Sequence, residues 1–222
     1  MSTESPQKQT LKTLVGRERR ALTAADLERM MLPREFWETT YGEISPEDSD
    51  HRQIIGRFMA KMPDVVDKGY GLLLWGPNGH GKSALASLIL KEARRWGFVT
   101  LFVRSERLRS ARLEKEAFDD AHTLFKRAML VDVLVLDDLG KEVRGERSAF
   151  TDRAIEDLLR ERVTQQRTTI ITTNIPKDKL TSVYPESLVH GIRAMIFPVH
   201  VEGHDYRTVA TERMKRELLT TE

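Results

Sequence analysis

From residue 70 onward, short apolar runs alternate with longer stretches in which apolar positions recur every three or four residues. Short runs rich in β-branched residues read as buried strands, and the longer period reads as a helix packed by one face. Strands are therefore predicted at residues 70–75, 99–103, 131–136, 169–172 and 197–201, and helices at 82–96, 106–128, 152–164 and 186–195. A further charged helix is predicted at 211–219. Pro198 has no N–H to give to a ladder, so the last strand belongs at a sheet edge. Strands separated by helices imply parallel pairing through right-handed crossovers, hence an α/β sandwich of three layers.

Before residue 51 the pattern is different. Thr23 with Asp26 three positions later marks a capped helix start, Pro33 interrupts, and EISPEDSD at 43–50 is an acidic loop. The chain thus divides into an N-terminal extension, 1–50, and a core, 51–222, that ends in a short helix. At 222 residues one core of ordinary size is expected. Lys and Arg number 36 against 34 Asp and Glu, so any nucleic-acid contact needs a local basic surface. With no cysteine there are no disulfides, thiolate metal sites or cysteine nucleophiles; with no signal-like or membrane-length apolar run, a cytoplasmic setting is expected.

The chemistry starts at residues 76–83, GPNGHGKS, which lie between a predicted strand and a predicted helix. Gly76, Gly79 and Gly81 let the backbone of this loop, which also holds Pro77, Asn78 and His80, curl so that its N–H groups, all but that of Pro77, surround phosphate oxygens at the helix start, where Ala84 follows. Lys82 is placed to reach the β- and γ-phosphates of ATP, and Ser83 to bind Mg2+. The competing reading is a glycine-rich turn without a ligand, which the flanking strand and helix disfavour. Val133-Leu-Val-Leu-Asp137-Asp138 ends an apolar strand in two carboxylates. Asp137 suits the metal's water shell and Asp138 a general base for the attacking water, against the plain reading of a solvated strand end. Asn174 ends the next strand and, in a parallel sheet, faces the same crevice, where its amide can orient water.

Taken in order, GPNGHGKS, LVLDDLGKE, a helix ending in Arg162, TIITTN, a helix with Arg193 and VEGHDYR resemble the DnaC/IstB-like branch of the AAA+ ATPases over about 51–208. The resemblance implies a P-loop NTPase fold with a five-stranded parallel sheet in the order 5-1-4-3-2, lacking a full helical lid. It implies Walker A, Walker B and sensor 1 roles for 76–83, Asp137 with Asp138, and Asn174, an arginine finger at Arg193 and a second sensor at Arg207. It also implies a homo-oligomeric ring or spiral with ATP at the subunit interfaces. Many relatives carry Glu where this chain has Asp138, which sets the base one methylene farther from its target. The activity implied is Mg-dependent ATP hydrolysis by a loader that places a replicative helicase on single-stranded DNA. The alternative is an ATPase of the IstB type that assembles on DNA and recruits a transposase.

Three softer signals remain. Arg104, Arg107, Arg109, Arg112 and Lys115 form either a groove for single-stranded DNA or a solvated face laced with Glu106, Glu114 and Glu116. His200 and His204 bracket Gly203 and do not share a helical face, which disfavours zinc. The first 50 residues either grip the partner enzyme or end in a helix packed on the core.

Overall fold

The computed structural model describes residues 19–44, 50–113, 120–140, 149–203, 205–206 and 218–219. Its strands are β1 (Gly71–Trp75), β2 (Thr100–Arg104), β3 (Val133–Leu139), β4 (Thr168–Thr173) and β5 (Ile196–His200). They form one sheet in the order β2-β3-β4-β1-β5, every pair parallel. This is the expected order read from the opposite edge, and Pro198 lies on the edge strand β5.

The period of two in each strand divides the core. Leu72, Leu74, Val133, Val135 and Ile170 face one side, where α5 (Lys82–Arg95) packs with α3 (Asp50–Ala60) and α4 (Met62–Asp67). Leu73, Leu134, Leu136 and Ile171 face the other, against α6 (Ser105–Leu113), α7 (Asp120–Leu130), α8 (Ala149–Thr164) and α9 (Glu186–Met195). Each such aliphatic side chain contributes about 1.5–3 kcal/mol on burial. The helix predicted over 106–128 is described as α6 and α7, with 114–119 between them outside the described residues. Of the helix predicted at 211–219, only 218–219 are described.

Two polar anchors shape the region around the sheet. Arg162, wholly buried near the end of α8, donates to the carbonyl oxygens of Ala128, Val131 and Thr168 and to Thr169 Oγ1 at 2.6–2.9 Å. Burial lowers its pKa to about 9, and the carbonyl cage is what makes an unpaired guanidinium tolerable there. The second anchor ties down the segment before the core. Thr23 caps α1 (Ala24–Arg29) in a reciprocal box with Asp26, whose carboxylate also takes Arg20 at 2.6 Å and Arg94 of α5 at 2.9 Å. Arg20, first, then the Thr23 amide and Arg94 hold this carboxyl far below the usual range against the cost of burial. Met30 and Leu32 then enter the core, and the Phe102 amide donates to the Met30 carbonyl at 2.8 Å. Lys91 of α5 is buried with its ammonium on the carbonyls of Phe36, Trp37 and Thr39 at 2.8–3.1 Å. Residues 20–39 are thus strapped across α5, the short 3-10 turn Arg34–Phe36 is fixed from below, and the one-turn helix α2 (Tyr41–Ile44) follows.

Candidate nucleotide site

Between β1 and α5 the chain turns through three glycines in left-handed or otherwise positive conformations, with φ of 147° at Gly76, 85° at Gly79 and 80° at Gly81. A β-carbon on Gly76 would strike the Val201 carbonyl, so that position needs glycine for space as well as for φ; at Gly79 the neighbour is the far end of the flexible Asp205 side chain, and it is φ that calls for glycine. Gly81 caps α5 without any side chain, which leaves the first amides of a 14-residue helix to an incoming anion. Lys82 is buried, its Nζ folded back onto the carbonyls of Gly76 at 2.9 Å and Pro77 at 2.6 Å.

The carboxylates come from β3. Asp137 is 2% exposed, and burial, the leading cause, pushes its pKa above the ordinary carboxylate range against hydrogen bonds from Ser83 and Thr172. Thr172 Oγ1 donates to Asp137 Oδ1 at 2.7 Å and accepts the Asp138 amide at 2.9 Å. The β3–β4 register shifts between Leu136 and Leu139, and Asp138 takes φ of 58°, a conformation costly for most residues but tolerated by Asp. The bulge re-aims Asp138, and Ser105 Oγ fixes it further by donating to its carbonyl at 3.0 Å. This is why β3 extends past the predicted end at 136.

A cavity of about 660 Å³ joins these groups: Asn78, Gly79, Gly81, Lys82, Ser83 and Ala84 from the loop and α5, Asp137 and Asp138 from β3, and Asn174 beyond β4. Asn174 Oδ1 is buried there without a hydrogen-bond partner, an acceptor left for a ligand or water. Among the described residues no three His, Cys, Asp or Glu side chains gather to hold a metal. Ser83 and Asp137, joined by a hydrogen bond, present oxygen donors of the kind that suit a cation such as Mg2+, which takes most of its oxygens from phosphate and water. Gly76, Pro77 and His80 do not line the cavity; the first two supply the carbonyls under Lys82, and the His80 ring is turned to the Asn78 carbonyl at 2.8 Å.

The remaining sequence-predicted residues divide. Arg193 is exposed on α9 and borders a separate, largely apolar cavity of about 380 Å³ with Lys177, Leu188 and Ile196. Arg207, Arg112 beyond its backbone, Lys115 and His204 lie outside the described side chains, whereas Tyr206 lines the main cavity and gives its amide to the Gly79 carbonyl at 3.0 Å. Of the basic cluster, Arg104 opens into the main cavity, and Arg107 is exposed on α6. His200 stacks on Trp75 with ring centres 3.8 Å apart and pairs with Glu202. Sequence reasoning missed Thr172, Ser105 and the wall formed by Glu35, Phe36 and Thr39. Thr172 carried one faint signal, a threonine at the end of a buried strand beside the Asp-Asp strand; the wall carried none.

The sequence profile of the IstB-like ATP binding protein family matches residues 9–196. The chain belongs to this family. Among family relatives it is 30% identical over 174 residues to the ATP-binding protein assigned to insertion sequence IS1162 of Pseudomonas fluorescens, covering 73% of this chain and 71% of that one. It is 28% identical over 159 residues to an IS21-like insertion-sequence ATP-binding protein of Bacteroides fragilis, covering 71% of this chain but 57% of that one. The fold of this IstB-like chain matches the crystal structure of the DnaC helicase loader with a TM-score of 0.67 at 23% identity, over 77% of this chain and all of that one. It matches DnaI with a TM-score of 0.63 at 24% identity, over 78% of this chain and 96% of that one. Its order of strands is thus that of the P-loop AAA+ fold.

Proposed function

We propose that the protein is a Mg-dependent ATPase that uses ATP binding and hydrolysis as a switch while it loads a replicative helicase onto single-stranded DNA. The observation that supports the ATPase reading is the convergence of Lys82, Ser83, Asp137, Asp138 and Asn174 on one cavity, with the Asn174 acceptor unmatched. In this reading Lys82 exchanges the Gly76 and Pro77 carbonyls for β- and γ-phosphate oxygens, and the open amides at the start of α5 take the β-phosphate. Ser83 and Asp137 hold Mg2+, whose chemistry is to neutralise phosphate charge. Asp138 accepts the proton of the attacking water, Asn174 orients that water, and Thr172 keeps the two carboxyl-bearing residues in fixed relation. Arg193 of one copy serves the site of the next, and Arg207, which follows Tyr206 in the sequence, is a second sensor. The N-terminal extension is the partner-gripping element.

A second reading, a transposition ATPase that assembles on DNA and recruits a transposase, is favoured by the sequence relatives, which are ATP-binding proteins of insertion sequences. Affinity capture with the host replicative helicase and with the transposase encoded nearest the gene, each in ATP and in ADP, separates the two. Nucleotide-dependent retention of the helicase supports the loader, and retention of the transposase alone replaces it with the second reading.

A further inference from the structure

Arg104 and Glu35 face each other on the wall of the nucleotide cavity, and nothing in the chemistry above uses them. Arg104 ends β2 directly beside Asp137 in the sheet register. Its guanidinium lies 3.5 Å from the carboxylate of Glu35, on the turn that Lys91 fixes through the Phe36 and Trp37 carbonyls. We propose that Arg104 is the residue by which this site distinguishes ATP from ADP, and that Glu35 holds it until a γ-phosphate takes its place.

Three observations carry the proposal, which rests on the ATP-binding reading of the same cavity. Position comes first: the backbone amides of the loop 76–83 and of the start of α5 serve the inner phosphates and Lys82 reaches the terminal one from that side, whereas Arg104 adjoins Asp137 on the opposite side, at the strand end shared with Asp138 and Asn174. Strength comes second. The side chains of Arg104 and Glu35 are 58% and 61% exposed, so water screens their attraction and the pair is easily exchanged. A terminal phosphate offers a guanidinium more charge than a carboxylate does and can still be held by two parallel N–H bonds. Charge comes third: while paired with Glu35 the Arg104 guanidinium is neutralised, so Glu35 opposes ATP by occupying Arg104, and a γ-phosphate must displace it to gain that charge. Because Glu35 belongs to the strapped segment, exchange of its partner also makes the N-terminal region sensitive to the nucleotide state.

The test is a double-mutant cycle on the full chain, with Kd measured by equilibrium titration for ADP and for an ATP analogue carrying a β,γ-methylene bridge. Arg104→Gln should weaken the analogue about tenfold and ADP less than twofold. Glu35→Gln should tighten the analogue about threefold, and Arg104→Gln/Glu35→Gln should match Arg104→Gln alone. Equal losses for both nucleotides, a Glu35→Gln gain that persists without Arg104, or loss of single-stranded DNA binding with an unchanged ATP-to-ADP ratio would each overturn the proposal. Thermal melting of each variant identifies a folding defect. In that case Arg104→Lys decides: it keeps the charge but not the fork, and an unchanged analogue-to-ADP ratio in it counts against the proposal. Failure of the ATP-binding reading looks different, because Lys82→Ala would then bind both nucleotides like the unaltered chain.

Discussion

Thr172 Oγ1 donates to Asp137 Oδ1 at 2.7 Å, and the same oxygen accepts the backbone amide of Asp138 at 2.9 Å. One hydroxyl on β4 therefore sets the metal-side carboxylate and the backbone of the proposed base together. Thr172→Val keeps the shape and removes both bonds. A buried polar group left unmatched costs about 1–3 kcal/mol, so the melting temperature should fall. ATP affinity should stay within about threefold while hydrolysis drops at least tenfold (about 1.4 kcal/mol). Steady-state kinetics with the Kd of a non-hydrolysable analogue checks this; an unchanged turnover would reduce Thr172 to a packing role.

Asp137 carries a pH signature. Its folded pKa is raised, mainly by burial, so the protonated form stabilises the nucleotide-free fold at acid pH, and that contribution is lost as pH rises through the raised value. Above the raised value the carboxylate is a buried charge, which burial disfavours. Asp137→Asn should therefore melt at a higher temperature than the unaltered chain at pH 7.5, with the gain shrinking toward pH 4, while Mg-dependent ATP binding is lost. Calorimetry at both pH values tests the sign, and a destabilised variant at pH 7.5 would contradict it.

Asp138→Asn probes the base without disturbing the backbone, since Asn also tolerates the left-handed conformation found at φ of 58°. ATP binding should persist and hydrolysis fall by 10² or more, the usual range for a lost general base being about 10²–10⁴. Hydrolysis at the original rate would make Asp138 a strand-end carboxylate only.

Arg193 is tested by mixing. It is exposed on α9, away from the residues lining its own chain's cavity. An arginine supplied in trans to a γ-phosphate is worth about 10³–10⁵ in rate. Arg193→Ala should bind ATP and fail to hydrolyse it, Lys82→Ala should fail to bind, and a mixture should regain activity at interfaces where the Lys82→Ala subunit supplies the arginine. Co-assembled mixtures that stay inactive at every ratio would place Arg193 in a structural role.

Asp26 tests the strap. Breaking a buried ion pair costs about 3–5 kcal/mol, trimmed here because Arg20 is 44% exposed, so Asp26→Ala should lose about 3 kcal/mol. Its folded pKa is depressed, so this stabilisation is fully present above the ordinary carboxylate range and is lost progressively as pH falls through that range toward strong acid. Urea unfolding at pH 7 and pH 3 measures both. Because the strap lines the cavity through Phe36 and Thr39, ATP affinity should fall as well.

Local order alone marked most of the candidate site. A glycine-spaced loop between an apolar run and a helix has one economical fold, and apolar runs separated by amphipathic helices have few layer arrangements. Gly76, Gly79, Gly81, Lys82, Ser83, Asp137, Asp138 and Asn174 could thus be read from residues near one another in the chain and from their places at strand ends. Other features depended on long-range pairing. The carbonyl cage around Arg162 draws on three separate elements, and no spacing rule connects a helix residue to them. Thr172 gains its role only because β4 lies beside β3, and the bulge at Asp138 exists only in that pairing. The strap is the clearest case: its sequence, broken by Pro33 about 40 residues before the loop, gives no sign of the cavity, and it is tertiary contacts, Asp26 on Arg94, Met30 and Leu32 in the core and Lys91 beneath Phe36, that bring Glu35 to face Arg104.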